Sequence, residues 1–240
     1  LIQKAGGNIS KLYASKGRLE HIVKLNTLSR YPDNPWDEFI APNGYIFTSP
    51  LWILAHELGH RWGIYIKYSN EYGEPSDILL DGTKTHFQFF MNSGGSPLEG
   101  NTIIESSPSH FFTLAPKHPG FFGTLELYLM GFISSDMVED SFVILNPNIT
   151  ADVHAKGELY FTGKKHSAVI DTVIQTNGKR FPSHKLSPKH FRCGFILFET
   201  NEFMASDEMI LKVERYRKAF QSYWFFVTKG YSTLETKLSL

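Results

Sequence analysis

Hydrophobic and polar positions alternate along much of this chain, and recur at helical spacing in three places. Alternation places apolar side chains on one face of a strand, whereas recurrence at three and four residues makes a stripe along a helix. The stretch "HIVKLNT" (21–27) alternates and predicts a short strand, and "IYIKYS" (64–69) predicts another. From 77 to 114 the pattern is strand-like throughout, as "THFQFFM", "NTIIESS" and "HFFTLA" separated by an "NSGGS" turn. "SFVILN", "GELYFTG" and "HSAVIDTVIQTNG" read as strands of a β-rich second half, and "HFRCGFILFET" reads as a buried strand.

Helices are marked by their ends. Ser49 and Pro50 stand as N-cap and first helical residue, predicting a helix to about Trp62 with Gly63 as its stop. Leu54, Leu58 and Trp62 form its core-facing side. "TLELYLMGF" predicts a short helix between Thr124 as cap and Gly131 as stop. "SDEMILKVERYRKAFQSYWFFVT" predicts a long amphipathic C-terminal helix capped by Ser206 and ended by Gly230. Helices and strands are segregated rather than alternating, so the fold class is α+β. One domain covers 1–240, with 134–150 the stretch suited to a subdomain boundary.

Composition adds exclusions. Lys plus Arg balances Asp plus Glu at 24 each, which favours neither a nucleic acid nor an anionic membrane as partner. No apolar run reaches the roughly 18 residues that cross a bilayer. The single cysteine, Cys193, permits no disulfide within the chain and reads as a buried small hydrophobe. Aromatic residues make up 15% of the chain, 20 of them Phe, which suits a sizeable core and an apolar cleft. The chain begins at Leu1 rather than Met, and is read as a mature or trimmed piece of a longer product, secreted or at the cell surface.

The candidate chemistry lies in "HELGH" (56–60). Residues four apart sit one turn apart on a helix face, so His56 and His60 can offer two imidazole nitrogens to one metal ion. Zinc favours such ligands at about 2.0–2.1 Å. Glu57, the next residue, is placed to take a proton from water attacking a carbonyl and to pass it to the leaving amine. The alternative is a helix whose histidines are satisfied by ordinary hydrogen bonds.

In these residues the chain resembles the zincin metallopeptidases, which carry HExxH on an active-site helix. The resemblance implies Zn²⁺, with His56 and His60 as ligands and Glu57 as catalytic base, in a helix packed on a mixed sheet. The metzincin continuation HExxHxxGxxH/D reads here "HELGHRWGIYI"; Gly63 fits, but Ile66 stands at the ligand position and cannot bind metal. Gluzincins and aspzincins draw a carboxylate from a later helix. "GTLELYLMG" (123–131) looks like the aspzincin GTxDxxYG motif, with Glu126 in place of Asp and Tyr128 one residue early. That resemblance implies Glu126 as third ligand. The chain is also similar to bacterial HExxH proteins of unassigned substrate that carry an LELYLMG segment and an RYR-containing C-terminal stretch.

His86 is the rival ligand. On an alternating strand it shares a face with Gln88 and Phe90 that can front the cleft. His110 and His118 are weaker candidates, and His21, His154, His166, His184 and His190 carry no spacing signal. If 124–130 is helical, Tyr128 points to the core and Met130 can floor the metal pocket. The function this implies is a zinc-dependent peptidase acting on a peptide or protein, with "IYIKYS" or "THFQFFM" as an edge strand for extended substrate. The alternative is a non-catalytic module of the same fold, stabilised by zinc.

Overall fold

The computed structural model describes residues 15–40, 46–114, 120–153, 158–202 and 204–237. Two short antiparallel strands, β1 (Phe39–Ile40) and β2 (Ile46–Phe47), lead into helix α1 (Pro50–Gly59). Ser49 caps α1 as its sequence predicts, its side chain accepting from the Trp52 amide at 3.2 Å. The helix ends at Gly59, earlier than expected. His60 is the C-cap and still donates its amide to the His56 carbonyl at 3.3 Å. Leu54 is buried, and Leu58 and Trp62 pack partly buried against the core, as their spacing indicates.

The strands β3 (Tyr68–Ser69) and β4 (Pro75–Ser76) pair with each other alone. The main sheet has six strands: β5 (Phe87–Asn92), β6 (Glu99–Asn101), β7 (Ile103–Ser107), β8 (His110–Thr113), β9 (Ser141–Val153) and β10 (Glu158–Ala168), in the order β6-β5-β9-β10-β8-β7. The β5–β6 pair is parallel and every other pair antiparallel, so the sheet is mixed. β5 has neighbours on both sides, meeting β9 at Met91 and β6 at Phe87 and Asn92.

Helix α2 (Thr124–Met130) forms where expected, with Gly123 rather than Thr124 as N-cap and Gly131 in the left-handed conformation as its stop. All of its residues from Leu125 to Met130 are buried. Helix α3 (Ile170–Asn177) occupies a stretch expected to be strand. Only His166–Ala168 of that stretch belongs to a strand, the end of β10. "HIVKLNT" also departs from expectation: it runs without regular pairing into a 3₁₀ turn at Leu28–Arg30. In "HFRCGFILFET" His190–Arg192 form strand β11, paired with β12 (Thr233–Glu235), Thr200 makes an isolated bridge, and Ile196 and Phe198 are exposed rather than buried.

Helix α4 (Asp207–Val227) is capped by Ser206 as expected, and Gly230 follows in the left-handed conformation. Its buried stripe of Tyr216, Phe220, Tyr223, Trp224 and Val227 recurs at helical spacing. α4 packs against α1. One core cluster joins Leu51, Leu54 and Ala55 of α1 with Phe87 and Met91 of β5, Leu127 of α2 and Trp224 of α4. The fold is thus α+β, with four α-helices among the described residues, a mixed six-stranded sheet and a long C-terminal helix. No described helix is long and apolar enough to cross a membrane.

Candidate metal centre

Three imidazoles converge at the C-terminal end of α1. The His56 and His60 Nε2 atoms are 3.2 Å apart, and the Nε2 of His86 lies 3.2 Å from the first and 3.1 Å from the second. His56 comes from the last turn of α1, His60 from its C-cap, and His86 from the residue before β5. Zinc–nitrogen bonds of about 2.0–2.1 Å in tetrahedral geometry separate ligand atoms by about 3.3 Å. The triangle therefore has the size of one face of that tetrahedron.

Two of the three rings are oriented from behind. His56 Nδ1 donates to the Pro97 carbonyl at 2.7 Å, so its Nε2 carries a lone pair in the neutral ring. His86 Nδ1 faces Asp81 Oδ2 at 3.4 Å and Thr85 Oγ1 at 3.2 Å. Asp81 is itself held by its own loop, accepting from the Thr83 amide at 3.1 Å. Such outer partners fix the tautomer and aim of a ligating ring. His60 Nδ1 is buried without a hydrogen-bond partner among the described residues.

Charge is disfavoured on His56 and His60. Burial holds the His56 imidazole below its usual pKa, with the neighbouring His86 adding to the effect. Burial and the adjacent imidazoles of His56 and His86 push His60 down to about 4. Near neutral pH these two rings are uncharged, the state in which imidazole ligates. At these separations the three Nε2 lone pairs can share one cation, so the donor set fits a divalent metal.

Glu57 lies between the two α1 histidines in sequence, half-buried, and its charge acts on His56. Among the described residues, no hydrogen bond or ion pair engages its carboxylate. The Glu57 carbonyl accepts from His21 Nε2 at 2.9 Å, and Arg61 forms an ion pair with Glu20. The segment around residue 20 is thereby tied to the end of α1.

Glu126 does not join the histidines. It is 2% exposed, and its carboxylate accepts from the Gly123 amide at 2.6 Å and from the Ser96 hydroxyl. Among the described residues, the group that could hold the ion beside His56 and His60 contains His86 instead. Tyr128 is buried, its hydroxyl accepting from the Arg180 amide at 3.1 Å, and Met130 is core. His110 is exposed on β8 and bonds the Pro108 carbonyl, while His118 and His154 lie outside the described residues. Sequence reading singled out neither Asp81 nor Pro97, and found no spacing signal at His21. Only the position of Asp81, five residues before His86, offered any hint.

A scan of protein families, a search of curated proteins and a search of solved structures each find no match to this chain.

Proposed function

We propose that this chain is a zinc-dependent peptidase of zincin-like build, in which His56, His60 and His86 hold the ion and Glu57 is the catalytic base. The observation that carries the reading is the triangle of Nε2 atoms at 3.1–3.2 Å, with the charge of Glu57, whose carboxylate is unengaged among the described residues, acting on His56. Among the described residues three protein ligands converge, which also favours catalysis over structure, since structural zinc sites are closed by four and catalytic ones keep a position open.

When bound, zinc would act as a Lewis acid and lower the pKa of water to about 7. Glu57 takes a proton from the attacking water as its oxygen bonds to the scissile carbonyl carbon. It then delivers that proton to the departing amine nitrogen as the C–N bond breaks. Pro97 and Asp81 keep the His56 and His86 rings aimed throughout.

The test pairs metal content with turnover of a peptide library. Glu57→Gln is expected to retain stoichiometric zinc and to lose about 10²–10⁴-fold in kcat. His86→Ala is expected to lose both zinc and turnover. A wild-type protein that binds zinc tightly yet cleaves no peptide would instead support a zinc-stabilised binding module.

A further inference from the structure

The buried carboxylate on α2 takes no part in the chemistry above, yet its hydrogen bonds lead to the metal centre. Glu126 accepts from Gly123 on its own helix and from the Ser96 hydroxyl across the fold. Ser96 Oγ in turn accepts from the Leu98 amide at 2.9 Å. Between them sits Pro97, whose carbonyl accepts from His56 Nδ1 at 2.7 Å.

The same loop touches α1 a second time. A Cβ placed on Gly59 would meet Leu98 Cδ2 at 3.2 Å and Phe122 Cε1 at 3.2 Å. Leu98 is thus seated on the bare backbone between the two α1 histidines, and it is fully buried. The segments that frame Glu126 are equally close: a Cβ on Gly120 would come within 2.0 Å of the Gly95 carbonyl oxygen. Glu126, the acid that the sequence motif singled out, is joined to this layer through the Ser96 hydroxyl.

From this geometry we infer that Glu126 is a positioning residue for the metal centre: through Ser96 it pins the 93–98 loop, which aims the Pro97 carbonyl at His56 Nδ1 and leaves His56 Nε2 free to ligate. Outer-shell partners of this kind typically change metal affinity about 10–100-fold when removed. Burial pushes the Glu126 pKa up to about 8, and the neutral acid keeps both contacts. In that form the Ser96 bond reverses: the Glu126 hydroxyl donates to Ser96 Oγ while its carbonyl oxygen still accepts from the Gly123 amide. A glutamine offers the same pair of functions.

The inference rests on the three-histidine reading, and its test has two readouts so that each can fail separately. The first is the His56 tautomer in metal-free protein, read by ¹⁵N NMR of the imidazole nitrogens. The second is zinc affinity by chelator competition, with the visible spectrum of the cobalt-substituted protein as a signature of ligand geometry. Ser96→Ala, which cuts the link but leaves Glu126 bonded to Gly123, is expected to mix the His56 tautomers and weaken zinc about 10–100-fold. Glu126→Ala is expected to do the same, and Glu126→Gln to retain both properties. The inference is overturned if Ser96→Ala leaves the tautomer and the affinity within twofold of wild type. It is also overturned if Glu126→Gln loses the metal as a replaced ligand would. Should wild-type protein take up no zinc, the three-histidine reading falls, and the tautomer still decides the role of Glu126.

Discussion

His60 and Glu126 are displaced from their usual protonation behaviour in opposite directions. His60 is pushed down from 6.5 to about 4, so the unfolded chain takes up a proton that the folded one refuses. Its contribution to stability is full above pH 6.5 and is lost as pH falls toward 4. Glu126 is pushed up from 4.5 to about 8, so its contribution is full below pH 4.5 and is lost as pH rises toward 8. In metal-free protein, His60→Gln should flatten the acid side of the Tm–pH curve, and Glu126→Gln the side approaching pH 8. Between pH 4.5 and 6.5 the two effects oppose each other, so each is read from the difference between variant and wild type. Curves parallel to wild type in both variants would contradict the environments described for these groups.

At the scale of elements, the helices depend on their punctuation. Ser49→Ala removes the α1 cap and should lower stability by about 1 kcal/mol, measured by denaturant titration. Arg180 closes the other end of α2, its guanidinium donating to the Leu129 carbonyl at 2.8 Å and the Met130 carbonyl at 3.1 Å. Arg180→Ala should cost about 2 kcal/mol, because the carbonyls of two buried residues lose a charged donor. Punctuation is also what made α1, α2 and α4 legible in the sequence, through Ser49–Pro50, Gly131 and Ser206. α3 was hidden because Ile170, Thr172, Val173, Ile174 and Thr176 are β-branched and suggest a strand. Packing decides otherwise: Val173 is buried with Ile170 and Ile174 against the core, a helical spacing. The third imidazole was legible only as a rival. Whether His86 or Glu126 meets His56 depends on how the loop before β5 and the 93–98 loop fold onto α1. Those loops carry turn residues but no periodicity.

For the whole molecule, a bound ion would join the end of α1 to the approach to β5, two elements whose described hydrogen bonding is otherwise to different partners. Binding that is confined to the folded state raises stability by about 2.7 kcal/mol at a free zinc concentration one hundred times Kd. Zinc should therefore raise Tm in wild type and leave His86→Ala unmoved, a comparison for scanning calorimetry. The centre also carries its own optical reporter. The Trp52 indole sits 5.2 Å from the His56 ring, centroid to centroid, whereas Trp36 lies tilted against Tyr223 and Trp62 stacks on Trp224. A paramagnetic ion such as copper(II) seated among the imidazoles would quench Trp52 emission at that range, while diamagnetic zinc would not. Intrinsic fluorescence of the unlabelled protein can thus follow loading and exchange in real time, with Trp52→Phe as the blank.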